Sequence, residues 1–128
     1  MSTFPGFAHV VLTVSDLERS IAWYQELFDA TPDHVERGER FSAAVWHFDD
    51  RAVVLHAFGR PEGERFDERR PGLDHLAFSC GDHEELERWA SKLDQLGFDH
   101  SEIVDVPYGS VLAFRDPDNI ALELTAPK

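Results

Sequence analysis

Apolar and polar residues alternate along the first predicted element. In Phe7 to Val14, residues Val10, Leu12 and Val14 share one face, and His9, Val11 and Thr13 share the other. One face of this strand needs an apolar cover, and a helix follows at once. Ser15-Asp16-Leu17-Glu18 reads as a capping box, after which Leu17, Ile21, Tyr24 and Phe28 recur at helical spacing. Three strand-like stretches come next: His34 to Arg37, Phe41 to Phe48 and Ala52 to Phe58, the last two joined by an Asp49-Asp50-Arg51 turn.

The same succession then repeats. An offset of 66 positions places His9 on His75, Leu12 on Phe78, Asp16 on Asp82, Glu18 on Glu84, Trp23 on Trp89, Leu27 on Leu93 and His34 on His100, without gaps. In the second copy His75, Ala77 and Ser79 oppose Leu76, Phe78 and Cys80 along the first strand. Asp82 is placed to cap the helix, with Glu85 three residues on, Leu86, Trp89, Leu93 and Leu96 as its stripe and Gly97 as a left-handed stop. Strands are predicted over His100 to Val106, Ser110 to Arg115 and Ile120 to Thr125, with Asp116-Pro117-Asp118-Asn119 as the final turn. The reading is one domain of two βαβββ modules, about 5–58 and 73–126, joined by a solvated linker over 59–72 with no chemical role.

The last strand carries chemistry on its less apolar face. Ile120, Leu122 and Leu124 lie on one side, Ala121, Glu123 and Thr125 on the other. An unpaired carboxylate facing an apolar core would be costly, so Glu123 should face solvent or a cation. Two histidines and one carboxylate on strand faces are the ingredients of a two-His-one-carboxylate centre, so His9, His75 and Glu123 are the predicted ligands. Such a donor set suits Fe(II), Mn(II), Ni(II) or Zn(II) better than Ca²⁺. Matching Val53-Val54-Leu55-His56 to Ile120-Ala121-Leu122-Glu123, with a one-residue gap, puts His56 at the place of Glu123. Tyr108 precedes a strand expected beside Glu123 and reads either as a proton donor near the substrate or as an ordinary turn aromatic. His34, His47, His83 and His100 are read as surface residues, Trp23, Trp89 and Phe78 as core, and Cys80 as a small buried hydrophobe.

Charge narrows the function classes. With a formal net charge of -13 the chain repels phosphate backbones and anionic lipid surfaces, so neither nucleic acid nor membrane is an expected partner. The single cysteine fits a reducing compartment, and no segment has the pattern of a leader or a membrane span, so the expected location is cytoplasmic.

The segments Phe7-Ala8-His9-Val10-Val11-Leu12-Thr13-Val14-Ser15-Asp16-Leu17-Glu18-Arg19-Ser20, Trp23-Tyr24, Gly72-Leu73-Asp74-His75-Leu76-Ala77-Phe78, Phe114-Arg115-Asp116-Pro117-Asp118-Asn119 and Leu122-Glu123-Leu124 resemble the vicinal oxygen chelate superfamily. That group includes glyoxalase I, extradiol dioxygenases, fosfomycin-resistance enzymes and bleomycin-binding proteins. The resemblance implies an α+β fold with paired βαβββ modules in an open cup, and a divalent ion (Fe, Mn, Ni or Zn) held by His9, His75 and Glu123, with His56 as a fourth ligand. It further implies a metal-dependent lyase, isomerase or dioxygenase acting on a small oxygen-rich molecule through Glu123 and Tyr108, working as a homodimer. The competing reading from the same resemblance is a metal-free protein that sequesters a drug or metabolite. Glyoxalase I relatives carry glutamate or glutamine at the fourth position, where this chain offers His56 or, one residue away, Leu55.

Overall fold

The computed structural model describes residues 3–59 and 64–128, and the chain divides into two compact units, Met1–Gly63 and Glu64–Lys128. Part of the predicted linker, residues 60–63, lies outside the described residues. Each unit is a βαβββ module. The first runs β1 (His9–Thr13), α1 (Leu17–Phe28), β2 (His34–Arg37), β3 (Ser42–Phe48) and β4 (Arg51–Ala57). The second runs β5 (Leu76–Ser79), α2 (His83–Leu96), β6 (Val104–Val106), β7 (Gly109–Arg115) and β8 (Ala121–Pro127). The sheets have four strands each, in the orders β1-β4-β3-β2 and β5-β8-β7-β6. In both, the first strand pairs parallel with the last, and the other pairs are antiparallel.

The helix covers one sheet face, and alternation does the sorting. In module one Leu12, Val14, Ala44, Trp46, Val53 and Leu55 are buried together with Leu17, Tyr24 and Leu27 of α1. In module two Cys80, Leu112, Phe114, Leu122 and Leu124 are buried with Leu86 and Leu93 of α2. Each fully buried Leu contributes about 1.5–3 kcal/mol of hydrophobic stabilisation. Trp46, at 1% exposure, fills the interior of module one and donates its Nε1–H to the Ala30 carbonyl at 2.9 Å, so its one polar atom is satisfied. Trp23, Trp89 and Phe78, predicted to be core, are only half-buried: the two indoles stand at the flanks of their helices' apolar stripes, and Phe78 lies on the edge strand β5. Cys80 is buried as expected, and burial, with Glu85 and Asp82 nearby, pushes its thiol up to about 11.

The helix signals shift by one residue in module one. The cap of α1 is Asp16, whose carboxylate accepts from the Arg19 amide at 3.2 Å, whereas Ser15 accepts from the Arg19 guanidinium. Glu18 turns instead to Arg37 on β2, at 2.7 and 3.0 Å. Asp82 caps α2 as predicted, accepting from the Glu85 amide, and the Glu85 side chain reaches back to the Gly81 N–H. Gly97 and Asn119 adopt the left-handed conformations their positions required.

Two surface expectations are corrected. His100 is not exposed: with 15% of its side chain accessible, it is tied to the Ser101 carbonyl at 2.7 Å through Nδ1 and to Asp94 at 2.6 Å through Nε2. The linker is not wholly free either. Among its described residues, the Phe66 amide donates to the Asp118 carbonyl, the Asn119 side chain donates to the Phe66 carbonyl, and Glu68 forms a two-pronged pair with Arg115 at 3.0 and 3.2 Å. The segment before β5 is thereby strapped to the β7–β8 turn, which Asp116 shapes by accepting from the amides of Asp118 and Ile120.

The His100 contacts predict a pH effect of definite sign. The Ser101 carbonyl first, and Asp94 second, raise the imidazole above its ordinary value of 6.5. A raised value in the folded state stabilises fully below the unfolded value, and that contribution fades as pH rises through the folded value. Denaturant unfolding of the wild type and Asp94→Asn should therefore differ most near pH 6 and converge by pH 9. A difference that grows with pH would contradict this.

Candidate functional site

The strand registers fix the candidate residues. Glu123 lies in β8, an inner strand of its sheet, directly between Ala77 of β5 and Ala113 of β7. It projects from the face opposite the buried Leu122 and Leu124, and 24% of its side chain remains accessible. Two alanines as cross-strand neighbours leave space above the carboxylate. His75 stands one residue before β5 and aims Nε2 at Glu123, 3.5 Å from Oε1, while its Nδ1 lies 2.8 Å from Asp74 Oδ1. Two donors 3.5 Å apart can both ligate one ion at about 2.0–2.2 Å, so the His75–Glu123 pair fits a divalent metal.

Module one repeats half of this arrangement. His9 opens β1, exposed, on the face shared with Val11 and Thr13 and opposite the buried Leu12. The place matching Glu123, however, is not held by His56. Val11 and Ala77 stand 66 positions apart; Val11 pairs with Val54 and Ala77 with Glu123. Val54, flanked by Val11 and Val45, is therefore the counterpart of Glu123. His56 lies two residues farther along the same face, paired with Thr13 and Ala43, and matches Thr125. Its ring packs edge-on against Phe41, with centroids 4.5 Å apart, and near Phe58.

Tyr108 is not brought beside Glu123 within module two. It sits in the turn before β7, 73% exposed, and the adjoining Gly109 pairs with Pro127 while Ala113 pairs with Glu123. Four residues of strand put roughly 13 Å between those two rungs. Gly109 itself has φ 155°, and any side chain there would collide with the Ala126 carbonyl oxygen, which holds the turn at that end of the sheet. Within neither module, among the described residues, do three His, Cys, Asp or Glu side chains gather closely enough to hold a metal ion. Sequence reasoning missed Asp74, although the Asp74-His75 pair is visible as a dipeptide, and missed the Glu68–Arg115 strap, whose partners are far apart in sequence.

Residues 6–124 match the model of the Glyoxalase/Bleomycin resistance protein/Dioxygenase superfamily. The chain belongs to that superfamily. The glyoxylase/bleomycin resistance protein/dioxygenase domain from Frankia sp. EAN1pec is 38% identical, with a TM-score of 0.86 over 98% of this chain and 100% of that one. Metallothiol transferase FosB of Bacillus licheniformis is 31% identical over 126 residues, covering 93% of this chain and 73% of that protein. A Bacillus subtilis (strain 168) protein named "Putative ring-cleaving dioxygenase MhqA" is 34% identical over 74 residues, covering 58% of this chain, and that match spans only 23% of its length. In fold alone, the chain also resembles a glutamate-to-glutamine mutant of the fosfomycin resistance protein FosX of Listeria monocytogenes complexed with Mn(II) and 1S,2S-dihydroxypropylphosphonic acid, at 21% identity and a TM-score of 0.72 over 98% and 93% of the two chains. No helix among the described residues is long and apolar enough to cross a membrane.

Among the described residues, Glu123 makes no polar side-chain contact closer than its 3.5 Å approach to His75. Replacing it by Gln should leave the unfolding free energy of the metal-free protein within about 1 kcal/mol of wild type, as a partly solvated position with small neighbours implies. A loss of several kcal/mol would make the carboxylate structural.

Proposed function

We propose that this protein is a divalent-metal-dependent enzyme of the glyoxalase/dioxygenase type, acting on a small substrate that presents two neighbouring oxygens. The observation that carries the reading is the 3.5 Å approach of His75 Nε2 to Glu123 Oε1 above a floor of small residues. His9 completes the ligand set, since it occupies in module one the position His75 occupies in module two. Val54 at the fourth equivalent position favours a three-ligand set over four. That leaves more of the coordination sphere to substrate and sets the site apart from glyoxalase I. Fe, Mn, Ni and Zn all accept such a set, and Mn(II) is the ion seen in the FosX complex.

When bound, the ion would supply Lewis acidity toward the substrate's neighbouring oxygens. The protein's residues supply the remainder. The imidazoles of His9 and His75 bind through neutral nitrogens. The Glu123 carboxylate contributes charge and stands as a candidate proton acceptor. His9 is assigned to the ligand set by its equivalence to His75, and a homodimer is the assembly we favour.

A second reading is a metal-free binding protein of the bleomycin-resistance type. It draws support from the fact that neither module alone gathers three ligating side chains among the described residues.

Metal analysis of untagged protein separates the two readings. The enzyme reading expects about one Fe, Mn, Ni or Zn per chain, lost in His75→Ala and Glu123→Ala and strongly weakened in His9→Ala. Folded wild-type protein that takes up none of these ions would favour the binder. Light scattering at micromolar concentration should find a dimer; a monomer alone would overturn the homodimer.

A further inference from the structure

The ring of His75 is held from both sides, and by unlike partners. Nδ1 stands 2.8 Å from Asp74 Oδ1, whereas Nε2 stands 3.5 Å from Glu123 Oε1, too far for a good hydrogen bond. A carboxylate at ordinary pH only accepts, so the contact with Asp74 places a proton on Nδ1. In the neutral ring Nε2 then carries the lone pair, directed toward Glu123. An unconstrained neutral imidazole prefers the opposite tautomer, with its proton on Nε2.

The backbone before His75 is also held. The Phe66 amide donates to Asp118, the Asn119 side chain donates to the Phe66 carbonyl, and Glu68 grips Arg115 through both guanidinium nitrogens. Arg115 itself bonds the Asn119 carbonyl and is raised in pKa mainly by Glu68 and, more weakly, by nearby charges that include Asp74. Asp74 therefore arrives on a strap pinned to the β7–β8 turn, although 69% of its side chain is accessible.

We propose that Asp74 is a positioning residue for His75: it fixes the Nδ1–H tautomer and so presents Nε2 as a ready metal donor beside Glu123. The assignment rests on the metal reading of His75, but its first readout is independent of metal. In full-length, metal-free protein, ¹⁵N shifts of the His75 ring, recorded where the imidazole is neutral, should report the Nδ1–H tautomer. Asp74→Ala should move the population toward Nε2–H. Asp74→Asn should hold it in part, because the amide oxygen still accepts. Titration with Mn(II), followed by loss of the free-ion EPR signal, should show affinity lowered 10–100-fold in Asp74→Ala and partly restored in Asp74→Asn.

The outcomes separate the two claims. A wild-type ring already in the Nε2–H form, or an Asp74→Ala variant with unchanged tautomer or unchanged Mn(II) affinity, overturns the positioning role while leaving the metal reading intact. The predicted tautomer change in a protein that binds no divalent ion sustains the orientation by Asp74 and overturns the metal reading.

Discussion

The parallel pairing of each module's first strand with its last is the constraint from which the remaining geometry follows. A parallel pair cannot be joined by a tight turn, so a crossover must intervene, and the helix provides it. The helix then claims one face of the sheet for the core. Because side chains alternate strictly along a strand, every residue out of phase with Leu12, Leu55, Leu122 or Leu124 is committed to the opposite face. His9 and Glu123 are therefore on the uncovered faces of their sheets because their neighbours are buried, and a slip of one residue in register would put them against the helix.

The two modules share this frame but differ in what they display on it. Each carries a histidine at or just before the start of its first strand, and only module two carries a carboxylate in the paired last strand. Val54, Val11 and Val45 fill the corresponding place in module one. The sequence duplication thus supplies four equivalent positions, three of which carry donors and one an apolar side chain.

Much of the fold was legible in the chain because strand alternation, helix spacing and caps are local signals. Asp82, Gly97 and Asn119 read correctly for that reason, and β2 has the predicted bounds. The match of His56 to Glu123 failed because lengths change between the copies. Module two has a helix of 14 residues against 12 and one more residue in the last hairpin, so the counterparts stand 69 positions apart there, not 66 or 67. Neither insertion alters the apolar pattern on which the matching depended. The setting of His100 and the strap through Glu68 and Arg115 were illegible because both depend on how separated segments fold back on one another. Trp46, and not Trp23 or Trp89, is the buried indole, since a strand residue under the helix is covered more completely than one at the helix flank.

The central claim is that His75 and Glu123 face each other in order to share an ion. The most direct measurement is anomalous scattering at the manganese edge from crystals soaked in Mn(II). A single strong peak is expected within about 2.0–2.3 Å of both His75 Nε2 and a Glu123 carboxylate oxygen. Density at saturating Mn(II) that avoids this pair, in crystals where both side chains are free to accept the ion, would contradict it.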